Sequence, residues 1–341
     1  MPTRPAQREA GRRRLLAPLA WQLSVDVGLH EGFFPNVYYS RMGYVYIVLA
    51  AACWALIGPV SRLAFAEGMA PLEVAFWRAL LGSGFFGIHV AATRAVRVAR
   101  ADLPAMVAFG LLGVSLFYGG YQLAVERGGA ALAAVLLYTA PAWVALMSTF
   151  WLGERLTLRT GAAVALTIGG VAGIALGGEG PLRLSAGALG WGLVAGWCYA
   201  LYYPFGKRYF TRYAPAAVYA YALPIGALGL LPLVAFTPKS AVAWGAIVWL
   251  SVVSTYLAYL FYGLGLQRLA ATRASIVATL EPVIAAAVAF LWWEERFGLT
   301  GYAGAVLILT GVLLAVAARR PGRRAGAARL DEPKAMGRGG M

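Results

Sequence analysis

Residues 141–156 read PAWVALMSTFWLGERL, and residues 282–297 read PVIAAAVAFLWWEERF. Proline, tryptophan, glutamate and arginine recur in the two stretches at an offset of 141 positions. Working outward, the same offset aligns residues 117–171 with residues 258–312 without a gap, and 16 of the 55 aligned pairs are identical. A chain rich in Ala, Leu and Gly would match at only a handful of these positions by chance. The sequence therefore predicts an internal duplication.

The chain as a whole is strongly apolar. Of its 341 residues, 61% are hydrophobic and 13% are charged, whereas a soluble domain has about 25% charged residues. A fold in water needs a polar surface, so this composition predicts a protein embedded in a lipid bilayer. The net charge of +15 would suit a nucleic-acid partner. Its arginines lie in tails and loops beside apolar runs, however, so we expect no nucleic-acid partner.

Long apolar runs predict ten membrane-spanning helices, at about 20 residues for each crossing. The runs show none of the alternation that a transmembrane β-strand requires, so the predicted fold class is all-α integral membrane. The predicted spans are 44–61, 74–92, 103–125, 130–152, 161–178, 184–205, 214–236, 241–266, 274–293 and 299–318.

Basic residues predict the orientation of these spans. An N-terminus in the cytoplasm places 23 Lys and Arg on the cytoplasmic side and five on the other, as the positive-inside rule requires. Both termini are then cytoplasmic. We interpret residues 1–41 as a disordered or non-native extension before Met42, and residues 319–341 as a disordered basic tail.

The duplication divides the spans into two units of five helices, residues 42–178 and 179–318. Five is an odd number, so the second unit must enter the bilayer from the side opposite to the first. Inverted repeats of this kind are typical of secondary transporters, whose binding site lies near the midplane between the repeats. The sequence therefore predicts two inverted five-helix repeats and a transport function.

The duplicated motifs also resemble a known family. WLGERL at 151–156 and EP…WWEER at 281–296, preceded by YQLA at 121–124 and YGLG at 262–265, are similar to the repeated signature of EamA-type members of the drug/metabolite transporter superfamily. The resemblance covers about residues 44–318. It implies ten helices and export of amino acids or related metabolites across a bacterial inner membrane. The first repeat departs from the second at Ala140, where the second has Glu281.

Glu281 lies near the middle of the ninth span, where a carboxylate costs about 2.5–3.5 kcal/mol on insertion scales. It precedes Pro282, which removes one helical hydrogen bond and leaves the carbonyl of Ala278 available. This pair could receive a substrate ammonium group or a proton. The alternative is a structural hydrogen bond across the helix break.

Arg78 is the only basic residue inside a predicted span. It could attract a substrate carboxylate, but it lies within snorkelling distance of the outer surface, so a gating or structural role is favoured. Pro141 and Pro282, at equivalent positions of the repeats, are predicted hinges.

Aromatic residues deep in the spans predict a cavity with an aromatic wall, because buried tyrosine hydroxyls need hydrogen-bond partners. Such a wall suits a neutral or aromatic amino acid, or an organic cation through cation–π attraction. Simple helix packing is the alternative for each residue. With Glu281, the candidate substrate-binding residues are Trp54, Tyr118, Tyr121, Gln122, Tyr138, Trp197, Tyr199, Tyr256 and Tyr259.

No nucleotide-binding or hydrolase motif occurs in the sequence, so neither ATP-driven pumping nor enzyme catalysis is expected. The two cysteines and two histidines form no metal-ligand pattern, and we expect no cofactor, metal or catalytic residue. The predicted function is export of neutral or aromatic amino acids by a monomer, either coupled to protons or as facilitated diffusion. Multidrug or organic-cation efflux is the alternative.

Overall fold

The computed structural model describes residues 36–95, 97–177, 184–294, 296 and 298–317. Most of the predicted extension, the tail beyond 317, the loop around Arg183 and Glu295 therefore lie outside the described residues. Within these ranges the fold is helical, with no strand. The helices are α1 (Asn36–Ala55 and Ile57–Ala66), α2 (Pro71–Thr93), α3 (Arg100–Gly128), α4 (Ala130–Leu152), α5 (Leu158–Leu176), α6 (Ala186–Tyr209), α7 (Pro215–Leu233), α8 (Ala241–Arg268), α9 (Ala271–Trp292) and α10 (Leu299–Ala317).

Nine of these helices are long and apolar enough to cross a membrane, counting only the described residues. The all-α membrane class predicted from the sequence is thereby confirmed. The remaining helix, α6, has 24 residues and is long enough to cross. Its window is less apolar because tyrosine, tryptophan and glycine replace aliphatic side chains along it.

Three of the helices that are long enough to cross a bilayer are interrupted along their length. α1 breaks at Leu56, α4 breaks after Leu137, and α9 breaks at Thr279. The first segments of α4 and α9 end at Leu137 and Ala278, each four residues before a predicted hinge, Pro141 or Pro282, because a proline has no N–H to donate and its ring clashes with the carbonyl four residues earlier.

Two further helices contain π-helical segments at equivalent places in the repeats. Residues Gly110–Leu116 of α3 and Leu250–Leu257 of α8 are wound as π-helix. The offset of 141 carries the first segment onto the second to within one residue. Segments of this type occur frequently at functional sites because they change the direction in which side chains point.

The two halves are interleaved rather than side by side. The end of α3 packs on α6 of the second half, and the end of α8 packs on α1 of the first half. α2 packs on α7, and α5 packs on α10. Each contact therefore joins one half to the other, and the core formed between them holds the residues described next.

The contact between α5 and α10 depends on glycine. A Cβ atom added at Gly304 would collide with the carbonyl oxygen of Gly170 and the backbone of Gly173. Small residues let membrane helices approach this closely.

Candidate functional site

A chain of side-chain hydrogen bonds crosses the centre of the protein. The Arg78 Nη2 atom donates to the Tyr118 hydroxyl at 3.4 Å. The Tyr118 and Tyr259 hydroxyls are 3.3 Å apart, and those of Tyr259 and Tyr202 are 3.4 Å apart. The Tyr202 hydroxyl donates to the backbone oxygen of Gly113 at 2.6 Å. Four helices, α2, α3, α8 and α6, are joined in this way.

The hydrogen bonds from Arg78 to Gly113 all run in one direction. A guanidinium can only donate and a carbonyl oxygen can only accept. Tyr118 therefore receives a hydrogen bond from Arg78 and gives its own proton to Tyr259. Tyr259 gives its proton to Tyr202, whose proton is held by Gly113. Every hydroxyl in the chain thus has a defined role.

Arg78 points into the centre rather than toward the outer surface. The residue is 7% exposed, and its Nε donates to Thr255 Oγ1 at 3.3 Å. Thr255 lies in the π-helical segment of α8. It approaches α2 closely because Gly82, one turn after Arg78, has no side chain: a Cβ there would collide with the Thr255 methyl group.

Aromatic rings form a wall around the middle of the chain. The Tyr219 ring stacks on Tyr259 with centroids 4.6 Å apart and planes 9° apart. Trp54 meets Tyr259 and Tyr262 at 5.8 and 5.6 Å, and Tyr203 meets Tyr262 edge-on at 5.4 Å. We refer to Trp54, Tyr118, Tyr202, Tyr203, Tyr219, Tyr259 and Tyr262 as the aromatic cluster.

Several buried hydroxyls at this wall have no hydrogen-bond partner among the described residues. They belong to Tyr199, Tyr203, Tyr219 and Tyr262; Tyr199 and Tyr203 are neighbours without hydrogen-bond geometry. A buried polar group left unpaired costs about 1–3 kcal/mol. Three of these hydroxyls belong to the aromatic cluster and the fourth to the adjoining Tyr199, so together they are suited to a polar ligand.

Glu281 lies at the edge of the aromatic cluster, in the first turn of the second segment of α9. The partial positive charge at a helix N-terminus favours an acidic side chain there. The Tyr138 hydroxyl lies against its carboxylate, and the charge of Arg78 acts on it. Tyr121 lies within its electrostatic reach.

The breaks of α4 and α9 enclose little free space. Tyr138, Pro141, Tyr203 and Thr279 line a cleft at the breaks of α4 and α9, and the cleft is too narrow for a water molecule. A wider groove of about 380 Å³ runs between α3 and α6, but its lining is apolar except at Arg208 and Tyr209. It does not include the hydrogen-bonded chain.

Near one end of the protein, the carboxylate of Glu154, which follows α4, binds the first turn of α9. Its two oxygens accept hydrogen bonds from the backbone nitrogens of Ala271 and Thr272 at 2.7 and 3.2 Å and from the Thr272 hydroxyl at 2.9 Å. A carboxylate in this position caps α9. At the same end, Tyr213 donates to Asp102 at 2.6 Å, and this hydrogen bond raises the pKa of the Tyr213 phenol.

A buried ion pair lies near the opposite end. Lys239 Nζ is 2.6 Å from Glu73 Oε1, and both side chains are buried. The Thr237 hydroxyl and backbone nitrogen also donate to Glu73. The rings of Trp77, Phe236 and Trp244 surround the ammonium group at 5.2–5.8 Å, so cation–π attraction adds to the ion pair.

Comparison with known proteins identifies the fold with a family. The sequence profile of the EamA-like transporter family matches this chain twice, over residues 41–176 and 186–317. The chain belongs to the EamA-like transporter family. The resemblance inferred from the duplicated motifs is thereby confirmed, and the two matched segments correspond to the two halves of the fold.

Relatives of this EamA-like protein are transporters. An "Uncharacterized transporter" of Archaeoglobus fulgidus is 30% identical, with 81% of this chain and 96% of that protein covered. A "Probable terminal-alkyne amino-acid exporter" of Streptantibioticus cattleyicolor is 29% identical, with 82% and 94% covered. One solved structure has the same fold, with a TM-score of 0.68, 19% identity and coverage of 82% and 96%.

The structure places the sequence-predicted residues of the EamA-like chain in different surroundings. Trp54, Tyr118 and Tyr259 are in the aromatic cluster, and Tyr121, Tyr138 and Tyr199 lie around Glu281. Tyr256 is outside the cluster: its hydroxyl is 2.8 Å from His89 Nδ1. Gln122 makes no hydrogen bond to another described side chain, and Trp197 only packs against the core.

Four members of the aromatic cluster were missed from the sequence: Tyr202, Tyr203, Tyr219 and Tyr262. A signal existed for Tyr262, which the offset of 141 places on the candidate Tyr121. Tyr202 and Tyr203 adjoin Tyr199 in the chain. Tyr219 has no counterpart in the first repeat and gave no signal. No group of metal-ligating side chains occurs among the described residues.

Proposed function

We propose that this protein is a secondary transporter that exports neutral or aromatic amino acids across a bacterial inner membrane by alternating access. The observation that carries the proposal is the hydrogen-bonded chain from Arg78 to Gly113, which lies within the aromatic cluster where the two halves meet. Transporters built from inverted repeats bind substrate at this kind of place.

The composition of the site supports the substrate class. Stacked and edge-on tyrosines offer flat apolar contact, and unpaired hydroxyls offer hydrogen bonds. Charged groups of both signs, Arg78 and Glu281, flank these rings. The probable exporter from Streptantibioticus cattleyicolor is named for an amino-acid substrate, which agrees with this choice.

Alternating access is supported by the polar contacts at the two ends, which we interpret as closures. Glu154 closes one end through the backbone of α9, and Glu73 closes the other through Lys239. Each closure consists of a few polar contacts that a small rearrangement can separate. Opening one while the other stays closed exposes the centre to a single side of the membrane.

Organic-cation efflux is the second candidate, because tyrosine rings around Glu281 suit a cation. The buried guanidinium of Arg78 in the same site opposes it, since a purely cationic ligand would face like charge. Coupling to protons is assigned to Glu281, whose carboxylate is the only acidic group among the described residues at the breaks of α4 and α9.

The test is counterflow in liposomes containing the purified full-length protein. Liposomes loaded with unlabelled phenylalanine are expected to accumulate labelled phenylalanine, and external tyrosine or leucine should compete. Lysine and a cationic dye such as ethidium should compete poorly. Accumulation of the dye without accumulation of amino acids would favour the second candidate, and a channel-like conductance without counterflow would contradict both.

A further inference from the structure

Arg78 is a buried cation whose direct contacts are neutral. Its guanidinium donates to the hydroxyls of Thr255 and Tyr118 at 3.3 and 3.4 Å, distances at the long end for hydrogen bonds. Among the described residues, no carboxylate oxygen lies within 4 Å of it. A buried charge without an opposite partner is strongly unfavourable, so the arrangement is suited to an anion that enters from outside.

Neither Glu73 nor Glu281 forms an ion pair with Arg78. Glu73, five positions before Arg78, binds Lys239 and Thr237. Glu281 acts on Arg78 through its charge, without forming an ion pair. The protein therefore keeps its two central charges apart, with aromatic rings around them.

The neighbours of Arg78 are arranged to present acceptors to it. The Thr255 hydroxyl donates to the Leu250 oxygen at 3.3 Å, across one turn of the π-helical segment. Its lone pair then faces Arg78. Tyr118 gives its proton toward Tyr259 and likewise faces Arg78 with a lone pair. A guanidinium has five N–H donors in a planar fork, and such a fork matches a carboxylate in two parallel hydrogen bonds.

We propose that Arg78 binds the carboxylate of the substrate, which displaces the Tyr118 hydroxyl, and that the protein thereby selects aromatic ligands with a free carboxylate over the corresponding amines and alcohols. The side chain of the ligand then lies against Tyr118 and Tyr259, and its amino group faces Glu281. This inference rests on the proposed function for the position of the site, but it concerns recognition rather than transport.

The test measures direct binding to the full-length protein in detergent by isothermal titration calorimetry. The probes are 3-phenylpropionate, which has a carboxylate and no amino group, and phenethylamine, which has the reverse. Wild-type protein is expected to bind the carboxylate at least about tenfold more tightly. Arg78→Gln should weaken binding of 3-phenylpropionate about 10- to 100-fold, the range for a hydrogen bond to a charged group. Arg208→Gln, at the exposed end of α6, should not.

A second comparison uses wild-type protein alone, in case Arg78→Gln does not fold. L-Phenylalanine and L-phenylalaninol differ only by exchange of the carboxylate for CH₂OH, and the alcohol is expected to bind at least about tenfold more weakly. Equal affinity for the two, or 3-phenylpropionate binding that survives Arg78→Gln, would overturn the inference. Absence of counterflow together with Arg78-dependent carboxylate binding would overturn the proposed function and leave this inference standing.

Discussion

The hydroxyl groups of Tyr118 and Tyr259, residues related by the internal offset of 141 positions, are 3.3 Å apart at the centre of the protein. The offset found in the sequence therefore relates two residues that are in contact in the structure. This contact brings corresponding tyrosines from α3 and α8 into one site, to which the first half also supplies Arg78 and Gly113 and the second half supplies Tyr202.

Removal of the Tyr259 hydroxyl should interrupt the hydrogen-bonded chain from Arg78 to Gly113. Tyr259→Phe leaves the Tyr118 proton without an acceptor and Tyr202 without a donor. We expect a loss of about 1–3 kcal/mol in unfolding free energy and a lower rate of counterflow. Thermal unfolding in detergent and liposome counterflow measure the two effects. Tyr302→Phe, at a half-exposed position of α10, is the matched control, and an equal effect there would contradict the prediction.

Neutralising Glu281 should remove proton dependence. Glu281→Gln keeps the size and one acceptor of the side chain but cannot be ionised, so exchange in proteoliposomes should no longer respond to a pH gradient. Glu126→Gln, an exposed position at the end of α3, should retain the wild-type response. An unchanged pH profile in Glu281→Gln would exclude Glu281 as the coupling group and leave facilitated diffusion.

The Glu154 closure should depend on its charge. Glu154→Gln retains an acceptor but loses the favourable interaction with the positive end of α9, worth about 0.3–2 kcal/mol. Backbone amides at Ala271 and Thr272 should then exchange hydrogen up to about 30-fold faster, as measured by mass spectrometry of the corresponding peptide. Glu294→Gln, at an exposed position, should leave that exchange unchanged. Equal hydrogen exchange rates of these two amides in wild type and Glu154→Gln would show that the charge of Glu154 does not stabilise the start of α9.

The ion pair at the opposite end should show strong coupling. Lys239→Met leaves the fully buried Glu73 without its partner, which should cost about 3–5 kcal/mol of stability. Combining it with Glu73→Gln removes the stranded charge and should recover much of that loss. A double-mutant cycle from thermal or denaturant unfolding gives the coupling energy. Additive single effects would contradict a role for the pair in closing this end.

Close packing between α5 and α10 should tolerate no added carbon. Gly304→Ala introduces a Cβ against the backbone of Gly170, and overpacking of this kind costs about 1–3 kcal/mol. Gly245→Ala provides the control, because nothing lies within 4 Å of a Cβ at that helical position. Alanine there should be neutral or stabilising by up to about 1 kcal/mol. Equal melting temperatures for the two variants would contradict the proposed tight contact.

Much of the fold could be predicted because its determinants are local. Nine of the ten predicted spans agree with a helix of the structure to within four residues at each end, since a bilayer requires a continuous apolar run whatever its neighbours are. The first was predicted too short: α1 begins at Asn36, eight residues before the predicted start at residue 44 and inside the predicted extension. Helix α6 differs from the others in composition, because Tyr199, Tyr202 and Tyr203 lower its hydropathy. These tyrosines line the candidate site, and a helix that lines a site needs fewer aliphatic side chains than one that faces only lipid.

The site could be predicted only in part. Tyr256 and Tyr259, both candidate binding residues, are three residues apart, a spacing that places two side chains on one face of a regular helix. The π-helical segment of α8 ends between them, so Tyr259 joins the aromatic cluster while Tyr256 binds His89. A local change of winding of this kind leaves no pattern of apolar residues that would reveal it.

The sequence by itself determined the membrane class, the duplication and the family, because hydropathy and repeated motifs follow from the order of residues along one chain. Only the tertiary structure decided which way Arg78 points and which tyrosines meet. Those outcomes depend on helix crossings and on close approaches at glycine, such as that of Gly82 to Thr255. They arise between segments far apart in the chain, so no single segment contains them.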